Sequence, residues 1–177
     1  MKRRRAAGGR TYMMTLLLVL LAVQDAEALR GLGGEVTESG GSITRVSFKD
    51  CAKLGEAEYR RIGGIRTLKT LTLYGGKKTL TDATLPLLAG LSELEELNTE
   101  GIQVSDAGLA GFAVLKNLRS LAFFHPSLDL KGFDGSGFAA LKALPKLEKL
   151  TIAGTRFNDL GMAAVAELVQ LRDFRTW

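Results

Sequence analysis

The sequence predicts an α/β solenoid, in which a unit of about 24 residues recurs five times and a sixth copy begins near the end of the chain. Three observations lead to this prediction. Each unit opens with apolar residues at alternating positions, as a half-buried strand does. Each unit then continues with apolar residues three apart, as one face of a short helix does. Between these halves lies a residue suited to begin a helix.

The strand half of the unit has a Leu-x-x-Leu-x-Leu spacing. Its full form is seen in the fifth copy, where Leu147, Leu150 and Ile152 are followed by Thr155 and Phe157. The other copies open with Ile43-Val46-Phe48, Leu68-Leu71-Leu73, Leu94-Leu97-Thr99, Leu118-Leu121-Phe123 and the partial Leu171-Phe174. Because one isolated unit cannot bury its apolar face, neighbouring units are expected to stack and pair their strands in a parallel sheet.

The helix half begins at a residue whose side-chain oxygen can accept a hydrogen bond from a free backbone N–H. These predicted N-caps are Thr81, Ser105, Asp134 and Asn158. Apolar pairs flank them as predicted hydrophobic staples, namely Leu80 with Leu85, Val104 with Leu109, Phe133 with Phe138 and Phe157 with Met162. Pro86 conflicts with a regular helix, so the helix of the second copy is expected to be short or to start late.

This spacing resembles the leucine-rich repeat family, in particular bacterial exported proteins whose repeats continue with a [ST]-D-x-G-[LM] helix start. The resemblance extends from about Ile43 to Phe174. It implies a right-handed superhelix with a parallel sheet on its concave face and short helices on its convex face. The position that many relatives fill with asparagine holds other residues here, so their asparagine ladder is absent: Cys51, Gly76, Ile102 and Thr155.

The N-terminus has the pattern of a secretory signal peptide. A basic stretch through Arg10 precedes an apolar stretch from Tyr12 to Val23, and Ala26-Glu27-Ala28 fits a cleavage site after Ala28. The expected organisation is a signal peptide over 1–28, a Gly-rich flexible lead-in over 29–42, and the repeat domain over 43–177. The alternative is an uncleaved membrane anchor, although the apolar stretch is shorter than the roughly 20 residues that span a bilayer.

Net charge argues against nucleic acid as a partner. The formal charge is +5, but the first 28 residues account for +3 of it and leave +2 for the rest of the chain. No basic stripe is therefore expected on the repeat domain.

The signal peptide predicts a secreted or periplasmic location for the protein.

Strand residues that alternate with the core leucines form three columns on the concave face, where such proteins usually bind partners. The first column is Arg45, Thr70, Glu96, Ser120, Lys149 and Asp173; the second is Ser47, Thr72, Asn98, Ala122, Thr151 and Arg175; the third is Lys49, Tyr74, Glu100, Phe124, Ala153 and Trp177. Aromatic residues are enriched at binding hot spots. The predicted contact residues are Tyr74, Asn98, Glu100, Phe124, Lys149 and Trp177, with His125, Asp129 and Lys131 on an insertion loop. The alternative is that these are only the solvated positions of a sheet.

Candidate catalytic groups are sparse. Cys51 is the single cysteine and occupies a core position of the repeat, and His125 is the single histidine and lies beside a proline, so neither has a predicted catalytic partner. One histidine and one cysteine do not make an ordinary zinc site. Asp134-Gly135-Ser136-Gly137 lacks the first glycine of a nucleophile elbow, and Gly75-Gly76-Lys77-Lys78-Thr79 lacks the spacing of a phosphate loop. No enzyme activity, cofactor or metal is expected.

The sequence therefore predicts an exported module that binds another protein, with a glycan or another cell-surface ligand as a variant of that role. The alternative is a structural element, or a fragment of a larger repeat protein, that stacks through an open C-terminal edge. This second hypothesis rests on the final residues 174–177, which fall inside a predicted strand.

Overall fold

The structure, a computed structural model, describes residues 20, 22–75, 79–124, 133–154 and 158–176. In this part of the chain, seven strands form one sheet in chain order. The strands are β1 (Glu35–Ser39), β2 (Ser42–Phe48), β3 (Thr70–Leu73), β4 (Glu96–Glu100), β5 (Ser120–Phe124), β6 (Lys149–Ala153) and β7 (Asp173–Thr176). The first two strands pair antiparallel, and every later pair is parallel.

One short helix precedes the sheet, and the others connect its parallel strands. Helix α1 covers residues 22–31, α2 is Glu56–Gly63 and α3 is Asp159–Ala166, whereas the three central connections are 3₁₀ helices at Leu85–Leu88, Gly108–Val114 and Ser136–Ala143. Apolar residues three apart align along one edge of a 3₁₀ helix, because that helix has three residues per turn. Pro86 lies in the first turn of the shortest of these helices, Leu85–Leu88. The helix of the second copy is therefore short, as Pro86 predicts.

The core is a stack of apolar columns that the strand register produces. Leu71, Leu97, Leu121 and Leu150 are successive register partners on β3 to β6. All four side chains are buried, as are the leucines that open each unit. The predicted repeats therefore lie side by side, and the fold is a leucine-rich repeat solenoid.

Asn158 is the N-cap of α3, as predicted, but the three 3₁₀ helices begin later than predicted, and their N-caps are Thr84, Ala107 and Gly135. Thr81, Ser105 and Asp134 lie in the turns before these helices. All four predicted residues accept a hydrogen bond from the backbone that follows them. The oxygen-to-nitrogen distances are 3.2 Å for Thr81, 3.0 Å for Ser105, and 2.9 Å each for Asp134 and Asn158. One predicted staple is an edge-to-face contact between Phe133 and Phe138, whose ring centroids are 6.1 Å apart. Phe157 lies outside the described residues, and its predicted partner Met162 is exposed.

Two aspartates in the turns before the 3₁₀ helices bind the next repeat. Asp82 accepts hydrogen bonds from the backbone N–H and the hydroxyl of Ser105, and Asp106 accepts from the backbone N–H groups of Asp134 and Gly137. Space is tight at these contacts, because a Cβ on Gly108 would lie 1.9 Å from Asp82 Oδ1. The glycine of the repeat thus makes room for the aspartate of the preceding repeat.

Polar side chains in the turns before the strands donate hydrogen bonds to backbone carbonyls, as an asparagine ladder would. Thr67 Oγ1 donates to the carbonyl of Ile43 at 2.9 Å, and Asn117 Nδ2 donates to that of Ser92 at 2.7 Å. Gln170 Nε2 donates to the carbonyl of Leu141 at 3.3 Å. Each bond links chain positions 24 to 29 residues apart, so backbone carbonyls in the turns find partners although the ladder position of the repeat holds no asparagine.

A column of alternating charge runs along the flank, one position before each strand. Its members are Lys69, Glu95, Arg119, Glu148 and Arg172. Backbone N–H groups in this column bond to the carbonyl of the preceding member. Lys69 Nζ lies 3.6 Å from Glu95 Oε1, and an Arg119 guanidinium nitrogen lies 3.5 Å from Glu148 Oε1. Neighbouring repeats therefore carry opposite charges at this edge.

The N-terminal end of the solenoid differs from the expectation of a flexible lead-in over 29–42. That segment contains the end of α1 and all of β1, whose register partners lie on β2. Ala26 and Leu29 of α1 have no exposed surface and belong to the core, and Asp25 pairs with an Arg61 nitrogen at 2.8 Å. Helix α1 and β1 thus cover the first parallel strand. In the part of the chain that the structure describes, no helix combines the length and the hydrophobicity that a bilayer-spanning segment requires.

Candidate functional site

The concave face is the side of the sheet opposite the core, and its three predicted columns follow the observed register. Arg45, Thr70, Glu96, Ser120, Lys149 and Asp173 are successive partners, and the second column pairs in the same way from Ser47 to Arg175. In the third column, Glu100 pairs with Phe124 and Phe124 pairs with Ala153. The placement of these residues on adjacent strands is therefore as the repeat spacing predicts.

Strand β4 places two carboxylates and an amide at the middle of this face. Asn98 Nδ2 donates to Glu96 Oε1 at 2.9 Å, and the Gly75 N–H donates to Glu100 Oε2 at 3.2 Å. All three β4 side chains are half-buried, so they are accessible to a ligand. Gly75 has a φ of +71°, which glycine adopts readily, and this turn at the end of β3 brings its N–H to the Glu100 carboxylate.

Tyr74 follows β3 directly and continues its pairing, since its N–H donates to the Phe48 carbonyl at 2.9 Å. Its side chain is half-buried. Burial raises the pKa of its hydroxyl, and the carboxylates of Glu100 and Glu96 raise that pKa further. The ring therefore stays neutral beside two negative charges.

Basic residues lie toward the two ends of the face. Lys49 Nζ lies 2.6 Å from Glu35 Oε1, and this hydrogen bond raises the pKa of the lysine. At the other end, Arg175 holds Asp173 through two nitrogens at 3.1 and 2.9 Å. Lys149 is exposed on β6 and has no ion pair with any residue that the structure describes.

The structure brings together four of the predicted contact residues as backbone neighbours on β3 to β5 and their ends. Tyr74, Asn98 and Glu100 have described side chains, whereas for Phe124 the backbone alone is described. Lys149 lies on β6, farther along the sheet. Trp177 and the insertion-loop residues His125, Asp129 and Lys131 lie outside the described residues.

Glu96 is missing from the predicted contact residues, although it belongs to the first column and lies on the strand next to that of Tyr74. The signal for it was present in the sequence, because Glu96 and Glu100 are four apart on one strand and side chains two or four apart face the same side. Burial, however, decides which column members a ligand can reach. Thr70, Ala122 and Ala153 are buried, so they contribute little accessible surface.

The groups with catalytic potential have structural settings. Cys51 is buried, and desolvation, with Asp50 nearby, raises the pKa of its thiol to about 12. A protonated buried thiol is a poor nucleophile. Ser136 begins a 3₁₀ helix, with its N–H bonded to Asp134 Oδ1. Within the described ranges, no three His, Cys, Asp or Glu side chains are grouped to hold a metal ion.

The repeat register, the buried leucine columns and the exposed sheet face define a leucine-rich repeat solenoid. No family model matches the chain, and no curated protein matches it. Among solved structures, it is similar to an internalin C2 from Listeria monocytogenes str. 4b F2365, with 21% identity and a TM-score of 0.44. That likeness covers 67% of this chain and 55% of internalin C2, so the chain spans about half the length of that protein.

Proposed function

We propose that this chain is a binding module that recognises another protein through its concave face. The observation that carries the proposal is the composition of β3 to β5, where Tyr74, Asn98 and Glu100 are accessible together on a rigid hydrogen-bonded sheet. Aromatic and polar groups fixed by a scaffold lose little conformational entropy on binding. We further propose that the module has no catalytic activity, because Cys51 is protonated and buried.

Site-specific photo-crosslinking tests the face. A photoreactive residue at Thr72, half-buried on β3, is compared with the same residue at Val114, which is 52% exposed on a connecting helix. Applied to the native extracellular or periplasmic fraction, the Thr72 variant is expected to capture a protein that the Val114 variant does not. If the ligand is a glycan, the Thr72 variant would give no protein adduct, and the added glycan would compete with the native ligand for binding.

The same partner then tests individual residues. Tyr74→Ala with Phe124→Ala is expected to weaken its binding at least tenfold, because truncating aromatic anchors commonly costs 1 kcal/mol or more each. Unchanged affinity of every captured partner in this double variant would show that the concave face is not the binding surface.

We also propose that the protein is exported, on the strength of the basic and apolar segments before Ala28. A cut after Ala28 would remove Asp25 and Ala26 from the packed end of α1. Mass spectrometry of the N-terminus from native material locates the cut. Recovery of the protein in the cytoplasm alone, with residues 1–28 intact, would contradict export.

The C-terminal end favours a second candidate function, self-association or stacking on further repeats. Val169 is 92% exposed, and Leu160 and Met162 are 57% and 45% exposed near the same end. Strand β7 has a parallel partner on one side only among the described strands. Light scattering over a concentration series is expected to show a larger particle for the native chain than for Val169→Glu with Leu160→Glu. A monomer at all concentrations excludes this second function for the isolated chain.

A further inference from the structure

The centre of the concave face carries negative charge without basic residues. Three strands supply its nine outward positions: Thr70, Thr72, Tyr74, Glu96, Asn98, Glu100, Ser120, Ala122 and Phe124. Two of the nine are glutamates, and none is lysine or arginine. A ligand that covers this region must therefore compensate two carboxylates or leave them desolvated, which is costly.

Glu100 is held in place by its neighbours. The Gly75 N–H binds Oε2 at 3.2 Å, while Oε1 receives no hydrogen bond from the described residues. On one side, Tyr74 follows Leu73, the register partner of Thr99, so it lies next to Glu100 on the neighbouring strand. On the other side, Phe124 is the register partner of Glu100. Glu100 Oε1 is thus open to a donor from a ligand, next to the side chain of Tyr74.

The cations elsewhere on the face do not neutralise this centre. Lys49 is occupied by Glu35 at 2.6 Å, and Arg175 is occupied by Asp173. Lys149 on β6 and Arg45 on β2 each lie two strands from β4, which corresponds to roughly 10 Å at the usual strand spacing. Between solvent-exposed charges, that distance reaches the Debye length at physiological salt.

We infer that the position formed by Tyr74 and Glu100 receives a lysine or arginine side chain of the protein partner. This inference rests on the proposed function and names the chemistry of its partner. The carboxylate supplies a charge-assisted hydrogen bond, and the ring of Tyr74 offers its face or edge to the cation and its methylene stem. Glu96 lies four residues before Glu100, about 13 Å along β4, and takes a second basic residue four positions away on an extended partner segment.

Selection of random twelve-residue peptides displayed on phage tests the inference with the full chain. The selection is run on the native protein and on Glu96→Gln with Glu100→Gln, which keeps side-chain size and removes both charges. Glu93→Gln is the matched control, because Glu93 is an exposed glutamate in the turn before β4 and is not on the face. Peptides selected on the native protein are expected to be enriched in lysine or arginine spaced four apart.

Synthetic copies of the selected peptides then give affinities. Their binding is expected to weaken at least tenfold in Glu96→Gln with Glu100→Gln, to weaken in Tyr74→Phe less than in Tyr74→Ala, and to be unchanged in Glu93→Gln. Selected peptides that are acidic or neutral, or that bind the double variant equally well, overturn the inference. If such peptides still lose affinity in Tyr74→Ala, the concave face binds proteins without this basic preference and the proposed function stands.

Two lysines follow Gly75 at a distance of two and three positions, Lys77 and Lys78, and both lie outside the described residues. The selection is therefore repeated on Lys77→Ala with Lys78→Ala. The basic preference is expected to be present in both proteins. A preference that appears in this variant alone would show that the native lysines satisfy the glutamates, and the inference would be wrong.

Discussion

Asp82 in one repeat accepts two hydrogen bonds from Ser105 in the next, one on each carboxylate oxygen. The backbone nitrogen of Ser105 lies at 2.9 Å and its hydroxyl at 2.7 Å. The two residues are 23 positions apart in sequence, so this contact links repeats rather than shaping one turn. Asp106 makes the equivalent connection to the repeat that follows it. These carboxylates therefore contribute to the cohesion of the stack.

Removal of this carboxylate gives the first prediction. Asp82→Ala is expected to lower the free energy of unfolding by about 1–2 kcal/mol, because a charge-assisted bond to a backbone N–H is lost at a partly exposed site. Urea unfolding followed by circular dichroism measures it. Asp159→Ala is the control, since Asp159 makes no described bond to another repeat. It lies in the first turn of α3, where its interaction with the helix dipole stabilises the fold by less than about 1 kcal/mol. Equal losses in both variants would contradict the inter-repeat role.

The close approach at Gly108 gives the second prediction. Gly108→Ala is expected to destabilise the fold by about 1–3 kcal/mol, because the new methyl group must displace the Asp82 carboxylate. Gly31→Ala is the matched control, since nothing lies within 4 Å of its Cβ position and it ends α1. The melting temperature should fall for Gly108→Ala alone. If Gly108→Ala is neutral, the carboxylate and the methyl group can share the space.

The N-terminal end gives the third prediction. Leu29→Ala is expected to cost about 2–4 kcal/mol, because it deletes a fully buried side chain that closes the first repeat. Leu32→Ala, at a half-buried position just past α1, should cost clearly less. Guanidinium unfolding of the full chain compares them. Similar stability of native protein and Leu29→Ala would mean that α1 does not act as a cap.

The same reasoning predicts the effect of shortening the chain. Residues 22–177 are expected to unfold at higher denaturant concentration than residues 29–177, because the shorter chain lacks Ala26 in the core and the ion pair of Asp25 with Arg61. An identical midpoint for the two chains would show that the first turns of α1 add no stability.

The buried thiol gives a prediction that depends on pH. The pKa of Cys51 is raised to about 12 in the folded protein, against about 8.5 in an unfolded chain. Between these values the unfolded state binds fewer protons than the folded state, so stability is full below about pH 8.5 and falls as the pH rises toward 12. Cys51→Ala should reduce this loss between pH 8.5 and 10, measured by urea unfolding. At pH 8, iodoacetamide should label Cys51 in urea and leave it unlabelled in the native protein.

The spacing of the leucines was sufficient to predict the sheet register. Leu71, Leu97, Leu121 and Leu150 occupy equivalent places in the sequence, and only one alignment of the strands buries all four. The side-chain bonds of the turns were equally predictable, because Ser105 and Asn158 act on backbone groups two or three residues away. Of these two residues, Asn158 is the N-cap of its helix, whereas the helix after Ser105 begins later, with Ala107 as its N-cap. Local chemistry and strict periodicity therefore determined most of the fold.

Contacts between distant positions were harder to predict. Glycines near β1 suggested a flexible segment, yet β2 offers an unpaired edge that residues 35–39 complete as an antiparallel hairpin. The double bond from Asp82 to Ser105 depends on how far one repeat is displaced from the next, which spacing alone does not give. For the candidate site, the register placed Tyr74 beside Glu100, while the burial of Ala122 and Ala153 depends on neighbouring side chains.

The column of alternating charge before the strands restricts how the array can change its length. Loss of the repeat that carries Glu95 would place Lys69 next to Arg119, and loss of the one that carries Arg119 would place Glu95 next to Glu148. Like charges at adjacent positions repel. Removal or duplication of repeats in pairs keeps every neighbour opposite in sign, so changes by even numbers are the ones this edge tolerates.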